Sequence, residues 1–595
     1  MVLNNSGLIG TLKKAGVGFK RPEDFFPPET ALRAVDLYAR DVAGFSLGRF
    51  TEVDGIPLEP LFSFMVYIYL VDACRCNLIA RRIIDGARPK RIEIHSRLLD
   101  RPPLKTYYLP EFLYLPWWLR RLGEASGAVV ECPPLDGDAP AKVPEPARAQ
   151  RRRRAPIQLG AIARLVRRRT NIAFLDSFGD YETVKPIVRE MRRRHRRFYA
   201  LHLNDGVLTP VPFPNGLHLD PLSLVRSRES EGLEREVQDA TGGLRSNMRS
   251  LLTTPFDHEG VVVDAGDALA KEIDGLTQIL AGILEKRRGV LRVFELFRPR
   301  ALFMKADWVP WEGLVAHKAR RIGCRVVVLQ HGVYTDYSYG GFTACPKAAD
   351  LQFIWGEHSR EQELKLGVSP DRLVVTGAPK YERLLDGTWK PDKRIGRLVE
   401  REKAARGAAT VVLYMPSPYI CESASSSPLE KLVIVEDLVG TLASHPDVLV
   451  IVKLHPSDNA EAYRSYAEGL GARNLVVLMG DALSFIHYSD LVISHYSGTG
   501  IEAVLMGKPV LQIQYVSHPD DLPLAQLGAA LPVLSREGFG RVYDEYIATR
   551  RISELRTRLD PKRFLEEVLN LSGGSASRNA VDALVAILED RPPGH

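Results

Sequence analysis

A rhythm that runs twice along the chain constrains its fold more than any other feature. Short runs of β-branched and aliphatic residues, each closing on a polar turn and leading into a helical stretch, occur at 171–177, 197–203, 301–305 and 325–329. The series restarts at 410–414, 448–454, 474–478, 491–494 and 509–514. Strands that alternate with helices at this spacing form a parallel sheet covered on both faces. Two such series predict an α/β fold of two doubly wound, Rossmann-like domains, joined near 377–407 and facing each other across a cleft. Ligands of such sheets bind beyond the carboxyl ends of the strands. The polar motifs of this chain fall at those ends.

Of the 595 residues, 45% are hydrophobic and 26% charged, which excludes wholesale disorder, a collagen-like repeat and a coiled-coil rod. The longest apolar stretch near the N-terminus, 61–71, falls well short of the roughly 20 residues of a bilayer span. Residues 1–20 lack the apolar core of a secretory signal. A cytoplasmic protein without transmembrane helices is therefore expected. Six scattered cysteines give neither a disulfide framework nor the paired spacing of a structural zinc site, so no metal and no resident cofactor is expected.

The expected organisation is an N-terminal α/β or helical module over 1–138, a basic Pro/Ala/Arg linker over 139–160, a first Rossmann-like domain over 161–390 and a second over 391–595. Helical stretches are expected at 29–43 and 58–84, a short strand at 91–95, and one long helical region over 222–297. Residues 107–119 are crowded with aromatics and read as a packed helix rather than a membrane-interface patch. The formal charge is +7 overall, yet residues 151–200 alone carry +11. That stretch is either a solvated face or a patch for an anionic membrane surface or polymer. No zinc finger, helix-turn-helix or RNA-binding motif accompanies it, so no nucleic-acid partner is expected.

Three motifs carry chemistry. Gln330-His331-Gly332 closes the strand at 325–329, placing an imidazole where it can accept a hydroxyl proton near neutral pH. Lys453-Leu454-His455-Pro456 closes another strand; its imidazole can donate to a phosphate oxygen as charge grows there, and Lys453 can add positive charge. The third runs from Ser494 through Ser497-Gly498-Thr499-Gly500 to Glu502. Backbone N–H groups at a helix start and the hydroxyls of Ser497 and Thr499 suit a phosphate, and Glu502, one turn on, suits the hydroxyls of a ribose. A plain helix cap also accounts for the Ser and Thr, but not for the whole run. No Gly-x-x-x-x-Gly-Lys-Ser/Thr pattern is present, which argues against a P-loop ATPase.

Taken in order, Gln330-His331-Gly332, Trp355-Gly356, Thr376-Gly377-Ala378-Pro379, His455-Pro456 and the run from Ser494 to Pro509 resemble the GT-B glycosyltransferases of bacterial surface polysaccharide synthesis. They are closest in style to the CDP-glycerol glycerophosphotransferases of teichoic acid synthesis and to the capsule polysaccharide transferases. The His-Pro and Ser/Thr pair is also similar to bacterial GT-B sialyltransferases, which use CMP-sugars. The resemblance implies His331 as catalytic base, His455 as stabiliser of the leaving phosphate, Ser494, Ser497 and Thr499 as the donor-phosphate loop and Glu502 as the ribose-binding carboxylate; Ser417, Lys453 and Gly498 are expected beside the donor with them. Two departures leave the base open. Val333-Tyr334 follows His331-Gly332 here, where the teichoic acid enzymes carry a longer Trp-His-Gly-Thr-Pro signature. The sialyltransferases use an Asp from the first lobe, for which Asp307, or Asp176 and Asp180 around Gly179 on the acceptor side, stand in suitable loops.

The expected activity is metal-independent transfer of a sugar or polyol phosphate from a CMP-, CDP- or UDP-activated donor to a glycan or lipid-linked acceptor. The enzyme would be cytoplasmic, or peripheral at the membrane through 151–197. The alternatives are a UDP-sugar 2-epimerase, which shares the architecture, and a non-catalytic scaffold of a polysaccharide assembly complex.

Overall fold

The computed structural model describes residues 12, 15–45, 52–53, 56–57, 59–95, 112, 114–133, 170–176, 181–194, 198–204, 216–219, 230–252, 255–266, 268–307, 310–333, 348–416, 430–455, 458, 460–516, 522–571 and 575–589. Among the described residues three α-helices precede the first sheet: α1 (Glu29–Phe45), α2 (Glu59–Ala87) and α3 (Leu115–Ala125). Over its described side chains α2 is buried nearly all round, and it takes two charges inside with it. Asp72 Oδ1 accepts from Arg75 Nη2 at 2.6 Å with both side chains fully buried, and the guanidinium sits 4.8 Å from the Phe112 ring centroid. Charges removed from water persist only when paired in this way. Trp118 Nε1 donates to Ala73 O at 2.8 Å. With Phe112, Tyr114 and Trp118 buried, the described aromatics of 107–119 are core.

The first sheet has seven parallel strands: β1 (Thr170–Asp176), β2 (Phe198–Asn204), β3 (Gly216–Leu219), β4 (Ala301–Met304), β5 (Arg325–Leu329), β6 (Leu351–Ile354) and β7 (Leu373–Val375). Their order is β7-β6-β5-β4-β1-β2-β3. The second has β8 (Thr410–Tyr414), β9 (Val448–Lys453), β10 (Leu475–Leu478), β11 (Leu491–Ser494), β12 (Val510–Ile513) and β13 (Leu531–Val533), all parallel, in the order β10-β9-β8-β11-β12-β13. Each order reverses beside its first strand, as doubly wound sheets do. Alternate residues feed opposite cores: Val412, Tyr414, Val450 and Val452 one way, Val411, Leu413, Leu449 and Ile451 the other. Strands buried on both faces read as the continuous apolar runs seen in the sequence.

The long helical region expected over 222–297 is divided. A helix, Ser230–Leu252, and another, Ala270–Phe297, flank an antiparallel hairpin of Phe256–His258 and Val261–Val263. Its two-residue turn, Glu259-Gly260, has φ of 51° and 79°, the left-handed pair that matches strand twist in a tight hairpin. Pro255 stands just before it, where a helix cannot run on.

The expected boundaries at 138, 390 and 595 group residues by sequence; the side chains group them otherwise. The apolar faces of α1, α2 and α3 share one core with Ala270–Phe297, Pro310–Arg321 and alternate residues of β4 and β5. The described helices at 29–45, 59–87 and 115–125 thus add to the first lobe's core. At the other end, α4 (Ala576–Glu589) leaves the second lobe and lays Ala580, Val581, Leu584 and Leu588 on the outer face of the first sheet, against Ile172, Phe303, Val327 and Phe353. Two glycines allow the crossing. A Cβ on Gly356 would lie 2.3 Å from Glu567 O, and one on Gly377, at φ 90°, would lie 2.8 Å from Ala576 Cβ. A strap returns the favour at the front of the chain. Leu12 and Phe19 pack on the second lobe's core and Phe25 and Phe26 on the first's, while Arg21 Nη2 reaches Glu436 Oε2 at 2.6 Å and Tyr466 Oη at 3.2 Å. No helix among the described residues is long and apolar enough to cross a membrane.

Candidate active site

Beyond β5 the chain turns through Gln330-His331-Gly332, and a side-chain donor takes each of the three carbonyls. Trp355 Nε1 donates to Gln330 O at 2.8 Å, Lys380 Nζ to His331 O at 2.8 Å, and Gln330 Nε2 to Gly332 O at 2.7 Å. Gln330, 1% exposed, also donates to Ser359 Oγ at 2.8 Å and accepts from Trp355 N at 2.6 Å. The Lys380 ammonium lies 4.7 Å from the Trp355 ring centroid and 4.8 Å from that of Tyr381, a cation held at two aromatic faces. The motifs at 330–332, 355–356 and 376–379 thus form a single scaffold whose product is a fixed turn carrying the half-buried His331. A Cβ on Gly332 would meet no atom within 4 Å, so open space adjoins the turn.

In the second lobe β9 delivers Lys453 and, past Leu454, His455. His455 N donates to Asp458 Oδ2 and Asp458 N donates back to His455 O, both at 3.0 Å, which locks the turn. Asp458 Oδ1 accepts from Lys431 Nζ at 3.2 Å, a cation with a side chain only 6% exposed. Lys431 lies on a helix, Glu430–Gly440, and the neighbouring Glu430 Oε1 accepts from Tyr496 Oη at 3.3 Å. Burial pushes the His455 imidazole below the usual histidine value; Asp458 opposes this, and Lys453 and Lys431 reinforce it. The ring is therefore neutral near pH 7 and keeps one N–H to give to a phosphate oxygen.

The loop after β11 divides its residues between building and presenting. Ser494 is fully buried; its Oγ donates to Ser497 O at 3.4 Å and would lie 2.9 Å from a Cβ on Gly500. Ser494 shapes the loop from below. Ser497 Oγ accepts from Thr499 N at 3.3 Å and Thr499 Oγ1 at 2.8 Å, with both side chains partly exposed and Gly498 exposed.

Glu502 sits half-buried on the helix Thr499–Leu505. Burial raises its carboxyl above the usual glutamate value; Lys380, Arg383 and Lys453 pull it down, and Asp481 adds to the rise. Lys453 is in turn lowered by burial and supported by Glu502, Asp481 and Asp458. The charges form a connected set running from Lys380 and Arg383 through Glu502 and Lys453 to Asp458 and His455. Lys380 holds the His331 carbonyl, and its charge also acts on the carboxyl of Glu502.

Asp307 does not join this set. It is 1% exposed and its Oδ2 accepts from Ala348 N and Ala349 N, each at 2.8 Å, clasping the end of β4 to the entry of β6. That engagement gives Asp307 a place in the framework of the first lobe. Asp176 ends β1, but its side chain, and Gly179, Asp180 and Ser417 entirely, lie outside the described residues. Sequence reasoning missed Lys380, Arg383, Lys431, Asp458 and Asp481. Lys380 directly follows a motif that was noticed, and Asp458 stands three residues after His455, a spacing at which a side chain can close its own turn. Lys431 gives no sequence signal, because only the packing of its helix brings it under the His455 turn.

No protein-family model matches the chain, and no curated protein sequence matches it. Among solved structures it is similar to a UDP-GlcNAc 2-epimerase from Neisseria meningitidis bound to UDP-GlcNAc, at 14% identity over 70% of this chain and 100% of that one, with a TM-score of 0.43. It is similar also to a glycosyltransferase from Rickettsia africae, at 13% over 71% and 100%, TM-score 0.40. A third is HepE of Anabaena in complex with UDP-glucose, at 12% over 70% and 99%, TM-score 0.40. Likenesses at this level concern the fold and say nothing of substrate. The fold itself, two doubly wound parallel sheets, is the α/β GT-B arrangement expected from the sequence; the return of the helix Ala576–Glu589 to the first sheet was not expected.

Proposed function

We propose that this chain is a GT-B transferase that moves a sugar, or a polyol phosphate, from a nucleotide-activated donor of the CMP, CDP or UDP type to a glycan or lipid-linked acceptor. What supports the reading is the placement of Lys453 and His455 at the end of β9, of Glu502 on the helix after β11, and of the His331 turn, held by Lys380, after β5. Glu502 would accept the ribose hydroxyls. Ser497, Thr499, Lys453 and His455, with Ser417 as an expected further ligand, would hold the phosphate. As the acceptor oxygen bonds to the donor carbon, or to phosphorus in the polyol case, the bond to the leaving phosphate breaks and its electrons settle on that phosphate. The hydroxyl proton passes to His331, or to an Asp of the loop after β1. Donors fixed in advance around developing charge supply most of such a rate. No step in this scheme needs a metal ion. The basic stretch 151–197 would hold the enzyme at an anionic membrane or polymer during surface polysaccharide synthesis.

A UDP-sugar 2-epimerase is the second reading, favoured by the names that several of the similar structures carry. Both readings use the same nucleotide pocket and part on the need for an acceptor. A thermal-shift series with CMP, CDP, UDP and GDP identifies the nucleotide, since a ligand of the folded state raises the melting temperature. Incubation with the matching sugar donor then decides: conversion without acceptor supports the epimerase, and acceptor-dependent release of nucleotide supports transfer. A chain stabilised by none of the four nucleotides would refute both. Under the transfer reading, His455→Ala lowers the rate by a factor set by about 2–4 kcal/mol, the scale of one lost oxyanion donor. Unchanged turnover in the folded variant removes His455 from the mechanism.

A further inference from the structure

The helix Glu430–Gly440 lies between β8 and β9 in the chain. A helix that follows a strand of a parallel sheet begins at the carboxyl edge, where ligands bind. Its first two residues are charged yet buried, Glu430 at 3% and Lys431 at 5% exposure, which such side chains rarely are unless paired. Consecutive helical residues point about 100° apart, and these two reach different loops. Glu430 Oε1 accepts from Tyr496 Oη at 3.3 Å and lies 3.9 Å from His495 Nδ1, both in the loop after β11. Lys431 Nζ donates to Asp458 Oδ1 at 3.2 Å, and Asp458 Oδ2 accepts from His455 N at 3.0 Å, in the turn after β9. We propose that Glu430 and Lys431 are positioning residues, one helix end that fixes the loop of Ser497 and Thr499 and the turn of His455 relative to each other as the two sides of a phosphate clamp. The proposal rests on the reading of His455, Ser497 and Thr499 as phosphate ligands, and it adds what holds them in register.

The strand order explains why a clamp is needed. β8 lies between β9 and β11, so the two loops leave the sheet two strand spacings apart, about 10 Å. The helix end reaches both. The helix itself is fixed: Leu432, Ile434, Val435 and Leu438 are buried in one core with Val412 and Tyr414 of β8 and Val450 and Val452 of β9. Further along, Asp437 Oδ2 accepts from Tyr515 Oη at 2.7 Å, two residues past β12. Glu430 and Asp437, seven residues apart, share a helix face, and each takes a tyrosine hydroxyl from a loop past β11 or β12. Ligands keep their geometry when they hang on rigid elements through side chains that are themselves held. Removing the Glu430 carboxyl takes that acceptor from Tyr496, the residue before Ser497. Removing the Lys431 ammonium takes the cation from Asp458, whose other oxygen holds His455 N. Two charges kept out of water at a cost in desolvation thereby set the width of the site.

The test uses the full chain and two measurements. Amide hydrogen exchange, followed by mass spectrometry without nucleotide, reads the segments 455–458 and 497–500. Glu430→Met should speed exchange at 497–500 about tenfold, and Lys431→Met at 455–458 by a similar factor, the scale of one buried hydrogen bond lost; β8, β9 and β11 should keep native protection. Tyr496→Phe should reproduce the first effect, and combined with Glu430→Met should add nothing to it. Glu430→Gln and Lys431→Arg keep the acceptor and the cation and should stay near native. Whichever of CMP, CDP, UDP and GDP stabilises the native chain should then bind Glu430→Met and Lys431→Met about tenfold more weakly, and Glu430→Gln and Lys431→Arg at close to native strength. Should Glu430→Met not fold, Tyr496→Phe carries the first arm. Native exchange at 497–500 in Tyr496→Phe overturns the clamp, as does unweakened nucleotide binding in the folded Glu430→Met and Lys431→Met chains. If none of the four nucleotides binds the native chain, the donor reading falls, while the exchange comparison still decides whether this helix end holds the two loops.

Discussion

His455 and Glu502 are perturbed in ways that make opposite statements about stability. The His455 imidazole is held below its ordinary value by burial, so the unfolded chain binds its proton more readily than the folded one. Its contribution is complete above about pH 6.5 and is lost as pH falls through the depressed folded value. The Glu502 carboxyl is held above its ordinary value by burial; here the folded chain binds the proton more readily. Stability therefore declines as pH rises from the ordinary glutamate range through the raised value. The difference in melting temperature between Glu502→Gln and the native chain should accordingly grow in favour of the variant from pH 4 to pH 7, and a flat difference would contradict the burial of that carboxylate. Lys431→Met takes the cation partner from Asp458, whose side chain is 12% exposed, a loss of up to about 3 kcal/mol, the low end for broken buried pairs. The same change removes one of the charges that depress His455, so the imidazole should titrate at higher pH. Melting curves and the histidine ring signals read the two effects separately.

At the scale of elements, what the sequence disclosed and what it hid follow from where each signal resides. Val326-Val327-Val328-Leu329 and Val448 to Val452 read as strands because both of their faces are buried and every position is apolar. The short strands β3, β6, β7 and β13 passed unread. Leu373-Val374-Val375 is too brief to show a period, and Gln352, buried in β6, is a polar interruption that only its bond to Glu363 Oε1 at 2.9 Å explains. The candidate site was legible where its residues end strands, as His331, Lys453 and His455 do. It was illegible where a side chain arrives from another element, as Lys380 and Lys431 do. The glycine of Trp355-Gly356 was seen as part of a motif, but its reason is tertiary: backbone atoms of Glu567 and Val568 occupy the place of a side chain. Gly356→Ala should push the helix Lys562–Leu569 away at a cost of about 1–3 kcal/mol, the range of overpacked cores. A lowered denaturation midpoint with an unchanged slope would report it.

Across the whole molecule the two lobes are laced by the ends of the described chain. The strap at Arg21 docks on the second lobe and Ala576–Glu589 on the first. Ser575 Oγ and Ser577 N both donate to Glu382 Oε1, at 2.7 and 2.8 Å, and Asn579 Nδ2 donates to Thr376 O at 3.2 Å. The last helix is thereby pinned to the linker between lobes. A chain ending at residue 574 should expose the apolar face formed by Ile172, Phe303, Val327 and Phe353, bind a hydrophobic dye and elute as aggregate. A monodisperse, dye-silent product would show that face to be dispensable. The same lacing bears on synthesis. A first sheet that waits for residues 576–589 cannot complete its outer layer as it leaves the ribosome. It must persist with that layer open while some 180 further residues, from β8 through Glu589, are translated, and during that interval the nascent chain is a natural client for chaperones.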